Sequence, residues 1–202
     1  MWFNNYFIEV FKMSSIVITH QHFLLYKPAG YISQFVYEKK RNKKKLGELY
    51  NFPEGTMAIG RLDENSEGLL MLTTDGKISE EIRSTHYEKQ YVVQVDGIIT
   101  NEAIEKLKNG VEIGVKGERL TTKECFAAII DKPDYVGDGY RIRSDRHGPT
   151  SWLTLTLTQG KFRQVRKMTA AVGFPTLRLI RIRIGDWKLE GMSVGEVVKI
   201  TL

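Results

Sequence analysis

Residues 151–160 read SWLTLTLTQG, and leucine alternates with threonine from Leu153 to Thr158. This alternation predicts a strand with one buried face. The next stretch, FRQVRKMTAAV at 162–172, changes to the spacing of a helix. The predicted inward face of that helix consists of Phe162, Val165, Thr169 and Val172. The two stretches together predict a strand followed directly by a helix.

A second strand is predicted in TLRLIRIRIG at 176–185, after Gly173 and Pro175 have ended the helix. Four of its residues share one parity, and they are Leu177, Leu179, Arg181 and Arg183. Side chains of a regular strand alternate strictly between its two faces, so leucines and arginines would share a face here. The sequence therefore predicts either a β-bulge near Ile180 or a strand end that leaves the core.

The remaining chain predicts more strands and one further helix. Strands are expected within 15–33, 68–76 and 89–97, the second of them ending in an Asp-Gly turn. A helix is expected at 100–110, capped by Thr100 or Asn101 and ended by Gly110, whereas residues 131–149 are expected to form an exposed loop. Because these elements do not follow a strict βαβ order, we expect an α+β fold. Its central sheet should be mixed, mostly antiparallel and flanked by helices.

Positive charge is strongly segregated along the 202 residues. Seventeen of the thirty lysines and arginines lie in 39–45, 140–150 and 161–188, where only Asp145 and Asp186 oppose them. Segregated positive charge favours a nucleic-acid partner, because each neutralised phosphate releases counterions. The alternative is a set of separate solvated surfaces. Cys125 is the single cysteine, so no internal disulfide can form.

Asp63 follows Arg61 and Leu62 and precedes a short acidic run and Gly68, in the stretch AIGRLDENSEGLLMLTTDG at 58–76. Three interpretations of this carboxylate are open. A calcium loop beginning at Asp63 would need a glutamate at its twelfth position, where Thr74 stands, so that reading is disfavoured. Composition alone favours a surface turn, since Asp, Asn and Ser bond to local backbone. The third alternative is a catalytic carboxylate.

Four blocks of sequence together resemble the RsuA branch of the ribosomal pseudouridine synthases. GRLDENSEGLLMLTTDG at 60–76 is similar to the signature of that family, and YKPAGY at 26–31 is similar to its Lys-Pro-x-Gly turn. KQYVVQVDG at 89–97 resembles its Lys-x-Tyr-x-Val strand, and 159–189 resembles its third block almost throughout. The blocks stand in family order. The resemblance implies the pseudouridine synthase fold, with a catalytic cleft across the sheet.

The resemblance also implies the roles of the catalytic residues. Asp63 corresponds to the aspartate that starts glycosidic cleavage by attacking the sugar or the base, and Arg166 to its ion-pair partner. An enclosed carboxylate needs such a cation to stay charged. Tyr91 would stack on the uracil and take part in proton movement. Pseudouridine formation involves no redox change, so we expect neither a cofactor nor a metal, and the four histidines are scattered.

Substrate binding is assigned partly by resemblance and partly by charge. By resemblance, Leu179 packs against the other side of the base, and Arg61 lies beside the flipped nucleotide. The basic segments are expected to hold phosphates on both sides of the extruded uridine, because base flipping exposes the flanking backbone. Within them the candidate phosphate ligands are Lys161, Arg163 and Arg181.

The resemblance is greatest to the E-type members, which act on 23S rRNA and lack the small S4 domain that usually begins RsuA-type enzymes. We therefore expect residues 15–202 to form the catalytic domain, with two subdomains and no S4 domain. Residues 1–14 would be an extension, which is a short helix packed on the domain, a frayed tail, or a stretch ahead of a true start at Met13. No signal peptide or membrane span is predicted.

The expected partner is 23S rRNA, bound by a cytoplasmic monomer without a membrane contact. Two alternatives remain open at this point. One is a pseudouridine synthase for another rRNA site or for tRNA. The other is a non-catalytic RNA-binding factor of ribosome assembly, which the presence of Asp63, Tyr91 and Arg166 disfavours.

Overall fold

The computed structural model describes residues 19–36, 42–84, 87–137, 142 and 145–202. The predicted N-terminal extension at 1–14 lies outside the described residues, as do residues 39–41 of the first basic segment.

Eleven strands are present within the described residues. They are β1 (His22–Lys27), β2 (Met57–Ile59), β3 (Glu67–Thr73), β4 (Lys89–Asp96), β5 (Glu112–Val115), β6 (Glu118–Thr121), β7 (Phe126–Ile130), β8 (Thr150–Leu157), β9 (Thr176–Ile184), β10 (Trp187–Lys188) and β11 (Val197–Ile200). The α-helices there are α1 (Gly76–Ser84), α2 (Asn101–Asn109) and α3 (Gln164–Ala171). Short 3-10 helices lie at Leu46–Glu48 and Asp145–His147. No described helix is long and apolar enough to cross a bilayer.

Nine of the described strands form one sheet, in the order β11-β1-β3-β9-β4-β8-β7, with β10 paired to β9 and β2 to β3. Its named strand pairs are antiparallel except for β3 and β9, which are parallel. The predicted mixed, mostly antiparallel α+β architecture is confirmed. The parallel pair matters for the site, because it places the loop before β3 beside the middle of β9.

Several predicted elements are confirmed with small shifts of their ends. Helix α2 is capped by Thr100, whose side chain accepts a hydrogen bond from the Ala103 N–H, and Gly110 ends it with a positive φ. The leucines of β8 are buried as the alternation predicts, and Gly173 follows α3.

Val136 is fully buried, so the prediction that 131–149 is an exposed loop is wrong at that residue.

The Asp-Gly turn predicted after β3 is wrong, because the Asp75 carboxylate begins a helix. Its Oδ1 accepts hydrogen bonds from the backbone N–H groups of Lys77 (2.8 Å) and Ile78 (3.3 Å). Asp is a strong helix N-cap residue, and here that preference outweighs its use in hairpins. Gly76 becomes the first residue of α1.

The bulge expected near Ile180 is confirmed, at Ile182, and a second one lies at Leu177. The pairing of β9 with β4 shifts twice, so that Ile182 and Leu177 are the extra residues. Arg181 stays on the face of Leu179, since it pairs with Tyr91, and it is buried nevertheless. Its guanidinium can be buried because it hydrogen-bonds to a backbone carbonyl: Arg181 Nε donates to Leu69 O at 2.8 Å.

Phe162 lies outside α3, which begins at Gln164, and the ring is 62% exposed. Its prediction as part of the inward face is therefore wrong. Val165 and Thr169 of that face are buried.

Gly68 allows the close approach of β3 to β9. Its φ is +105°, and a Cβ atom built there would lie 2.2 Å from Arg181 O and 2.6 Å from Arg181 N. We expect Gly68→Ala to lower the free energy of unfolding by about 2 to 3 kcal/mol, through backbone strain and overpacking. Urea denaturation measures this change. Gly76→Ala is the matched control, since nothing lies within 4 Å of its Cβ position. A Gly68→Ala variant as stable as the control would contradict the close packing.

Candidate active site

Asp63 lies in the loop that joins β2 to β3. The loop is closed by a hydrogen bond from the Ser66 N–H to Asp63 O (3.0 Å), which shapes a tight turn. Ser33 also ties this loop to the segment after β1, because its Oγ accepts from the Leu62 N–H and donates to Leu62 O. The Asp63 side chain is 26% exposed, so it is partly enclosed but still accessible from the cleft. A carboxylate fixed in this way is suited to a directed contact with a ligand.

Two guanidinium groups lie against the same oxygen of Asp63. Arg163 Nη1 lies 3.3 Å from Asp63 Oδ2, and Arg166 Nε lies 3.6 Å from it. Arg163 stands just before α3 with a left-handed φ of 53°, which is unusual for a residue with a side chain. The sequence predicted the Arg166 contact, whereas Arg163 was predicted only as a phosphate ligand. The structure brings both arginines to the carboxylate.

Arg166 also fastens α3 to the loop that carries Asp63. Its Nη2 donates to Asn65 O (3.1 Å) and to Ser66 Oγ (3.2 Å), and its Nη1 lies 3.5 Å from Thr176 O. Its side chain is 13% exposed. The same guanidinium therefore counters the charge of Asp63 and holds the backbone of its loop.

The cleft above Asp63 encloses about 430 Å³, part of it open to solvent. We call it the Asp63 cleft. Its apolar walls are Leu62, Tyr91, Leu157, Val165 and Leu179. Its other lining residues are Arg61, Asp63, Ser66, Gln159, Gly160, Lys161, Arg163 and Gln164. Apolar walls with one carboxylate and several donors suit a flat, polar-edged ring, and the cations suit phosphate groups beside it.

Three predicted site residues occupy different parts of this cleft. Tyr91 is half-buried in β4, and Leu179 is buried in β9, where it pairs with Val93 of β4. Arg61 is exposed at the rim. The structure thus places the predicted aromatic and aliphatic contacts of the base in one cleft with Asp63.

Arg181 does not line the Asp63 cleft. It lines a neighbouring space of about 1390 Å³, which we call the second cleft. The two clefts share Arg61, Tyr91, Gln159, Gly160 and Lys161. The charged lining residues of the second cleft are Arg61, Arg83, Lys89, Lys123, Lys161 and Arg181.

Sequence reasoning missed the glutamines of the Asp63 cleft. Gln164 is buried, and its Oε1 accepts from the Lys161 N–H at 2.9 Å, which orders the segment before α3. Gln159 lines both clefts. Neither interrupts a hydrophobic period or bears a charge, so nothing in the pattern distinguished them from surface residues. Within the described residues no group of three His, Cys, Asp or Glu side chains is placed to hold a metal ion.

Lys27 is a buried cation behind the Asp63 loop. It is fully buried at the end of β1, and its Nζ donates to Pro28 O (2.8 Å) and lies 3.4 Å from Glu64 O. Burial lowers the pKa of Lys27 to about 8. The carboxylates of Glu67, Asp63 and Glu64 oppose this shift, and the nearby Arg181 adds to it. The charge of Lys27 is therefore costly to keep in the folded protein.

Folding stability should depend on pH through Lys27. A lysine in the unfolded chain keeps a pKa near 10.5, so between pH 8 and 10.5 the unfolded state binds more protons than the folded state. The free energy of unfolding of the wild type, measured relative to that of Lys27→Met, should then rise with pH, by about 2 kcal/mol from about pH 7.5 to 9.5. Urea denaturation of both proteins across this range measures the difference. Parallel pH curves for the two proteins would contradict the lowered pKa.

Comparisons with known family models, sequences and structures all match this chain to pseudouridine synthases. The model of the RNA pseudouridylate synthase family matches residues 21–171. The chain is 39% identical to ribosomal large subunit pseudouridine synthase E of Xanthomonas axonopodis pv. citri, covering 84% of this chain and 88% of that protein. It is 33% identical to ribosomal large subunit pseudouridine synthase B of Bacillus subtilis, covering 89% of this chain and 68% of that protein. A crystal structure of a pseudouridylate synthase superposes with a TM-score of 0.69 at 27% identity, covering 91% of this chain and 71% of that one.

Proposed function

The chain belongs to the RNA pseudouridylate synthase family, and on that premise we propose that it converts one uridine of 23S, large-subunit rRNA into pseudouridine. Its relatives in Xanthomonas and Bacillus are named for the ribosomal large subunit, which supports this choice of RNA. The observation that carries the proposal is the placement of Asp63. Its Oδ2 lies 3.3 and 3.6 Å from two guanidinium groups, in a cleft that Tyr91 and Leu179 also line.

The reaction breaks the N1–C1′ bond of the uridine and forms a C5–C1′ bond to the same ring. The proton on C5 leaves, and N1 gains a proton, so atoms and electrons balance without an oxidant or a reductant. Asp63 is the group that starts the cleavage, by attack on the sugar or on the base. Arg163 and Arg166 lie against its carboxylate and counter its negative charge. After cleavage, the detached uracil turns within the cleft before C5 bonds to C1′.

The walls of the Asp63 cleft hold the uracil while it turns. Tyr91 stacks on one face of the ring and takes part in moving the C5 proton, and Leu179 packs against the other face. Apolar walls permit rotation, because they fix the plane of a ring without fixing hydrogen bonds at its edge. We assign Arg61 and Lys161, at the rim, to the nucleotide's sugar-phosphate and to the stack that the uridine has left.

We also propose the extent of the catalytic domain, its location in the cell and its oligomeric state. Residues 15–202 form the catalytic domain, and the protein acts in the cytoplasm as a monomer. Size-exclusion chromatography with light scattering measures the mass in solution, and a value near 23.2 kDa is expected.

Tritium release tests the reaction and the choice of RNA together. Unmodified 23S rRNA, 16S rRNA and bulk tRNA are labelled with 5-tritiated uridine, and each is incubated with the protein. The C5 hydrogen leaves only when C5 bonds to C1′, so release counts isomerisation. We expect release from 23S rRNA alone. Release from 16S rRNA or tRNA alone would overturn the substrate, and no release from any RNA would overturn the activity.

A further inference from the structure

The second cleft carries positive charge without an acidic counterpart among its described lining residues. Six cationic side chains line it, and none of the other described lining residues is a carboxylate. Arg83 forms an ion pair with Glu80, at the exposed edge of α1. Among the described residues, neither Lys89 nor Lys123 forms an ion pair with a carboxylate. Cations gathered without carboxylates favour an anionic ligand.

Two buried donor groups at this cleft make no hydrogen bond with the described residues. They are Arg181 Nη2 and Gln159 Nε2. Arg181 is 4% exposed, and its Nε is satisfied by Leu69 O, so the unused nitrogen belongs to a side chain that is already fixed. A buried donor normally has a partner, and two such donors at one cleft indicate a ligand that accepts hydrogen bonds.

Lys89 is a lysine of the second cleft whose charge interacts with that of Arg181. It is half-buried at the start of β4, and its Nζ donates to the Tyr87 carbonyl at 2.9 Å. Burial lowers the pKa of Lys89, and the positive charge of Arg181 lowers it further. The two cations therefore repel each other in the free protein, and an anion between them would relieve the repulsion.

The two clefts are joined at Tyr91, which lines both. A strand of RNA whose uridine enters the Asp63 cleft has an adjoining backbone that must leave it. The second cleft is the adjoining space, and it offers cations and unused donors of the kind that bind a phosphodiester.

We infer, on the basis of the proposed activity on RNA, that the second cleft is a phosphate subsite that holds the backbone next to the extruded uridine. Lys89, Arg181 and Gln159 contact the phosphate oxygens at its buried end, and Lys123 lies at its exposed edge. The subsite anchors the RNA and takes no part in bond cleavage. Its loss should therefore raise KM and Kd and leave kcat nearly unchanged.

The test compares Lys89→Gln and Lys123→Gln with Lys106→Gln, which removes one exposed lysine from α2, outside both clefts. Fluorescence anisotropy gives Kd for a fragment of 23S rRNA at several salt concentrations, and tritium release gives KM and kcat. We expect Kd and KM to rise about tenfold for Lys89→Gln and about threefold for Lys123→Gln. For each of these two variants, the slope of log Kd against the logarithm of the salt concentration should decrease by about 0.7 to 0.9, because one phosphate contact is lost. Lys89→Arg should restore the affinity.

A second arm separates the RNA backbone from a free phosphate ion. Fragments that carry one neutral methylphosphonate at successive positions near the modified uridine are bound to wild type and to Lys89→Gln. At one position the neutral linkage should weaken binding to wild type and cause no further loss in Lys89→Gln. If no position behaves in this way and inorganic phosphate alone competes with RNA in a Lys89-dependent manner, the subsite binds free phosphate and the inference is wrong.

The outcomes for the subsite and for the activity are distinct. A wild type that releases tritium while Lys89→Gln keeps its Kd, KM and salt dependence would overturn the subsite alone. A wild type that releases no tritium while Lys89→Gln binds RNA more weakly would overturn the proposed activity and keep the subsite.

Discussion

Asp63→Asn is expected to lower kcat for tritium release by about 10⁴-fold, the upper range for the loss of one catalytic group. Asparagine keeps the size and the hydrogen bonds of the side chain but has neither the charge nor the nucleophilic oxygen that glycosidic cleavage requires. The Kd for 23S rRNA should change less than about threefold, because phosphate contacts dominate RNA affinity. Single-turnover tritium release and fluorescence anisotropy measure the two quantities separately.

Asp186→Asn is the matched control for this substitution. Asp186 is exposed in the turn between β9 and β10, and it lines neither cleft. We expect this variant to keep wild-type kcat and Kd. An Asp63→Asn protein that retained a tenth or more of wild-type kcat would contradict the assignment of Asp63, whatever its affinity for RNA.

Glu67→Leu is expected to lower the free energy of unfolding by about 3 to 5 kcal/mol, because it leaves a buried arginine without its counter-charge. Glu67 and Arg178 form a two-point ion pair, with Nε to Oε1 at 2.7 Å and Nη2 to Oε2 at 2.8 Å. Their side chains are 3% and 2% exposed. Arg178 also donates to Gly137 O at 2.7 Å, so the pair joins β3, β9 and the segment before β8.

The double variant Glu67→Leu with Arg178→Met tests the reason for this loss. Removing both charges leaves no uncompensated ion, and apolar replacements of buried ion pairs are often nearly neutral. Urea denaturation should therefore show that the double variant is more stable than Glu67→Leu. A double variant that is less stable than the single variant would show that the loss comes from packing and not from the unpaired charge.

The sequence predicted those parts of the fold that depend on local pattern. The alternation in β8, the cap and stop of α2 and the irregular β9 could all be foreseen, because period and capping act within a few residues. The second register shift, at Leu177, could not be foreseen, since it depends on the pairing with β4, which is distant in the chain. Asp75 was predicted to lie in a turn, but an Asp-Gly pair occurs both in hairpin turns and at the start of helices, so the local sequence does not distinguish the two.

Buried charge was the main feature that sequence reasoning could not locate. Arg178 stood within a basic segment expected to face RNA, yet it is buried against Glu67. Charged residues are almost never fully buried unless they are paired, and the partner of Arg178 lies more than a hundred residues earlier in the chain. The same limit applies to Arg163, whose contact with Asp63 follows from the left-handed backbone before α3.

The most direct test of the proposed function is to identify the product on 23S rRNA. An unmodified 23S transcript is incubated with the protein, digested to nucleosides and separated by chromatography with mass detection, and the modified position is mapped on the intact RNA. We predict pseudouridine at a single position, with no change of mass and with none formed by Asp63→Asn. An RNA that is bound but yields no pseudouridine would contradict the isomerase assignment.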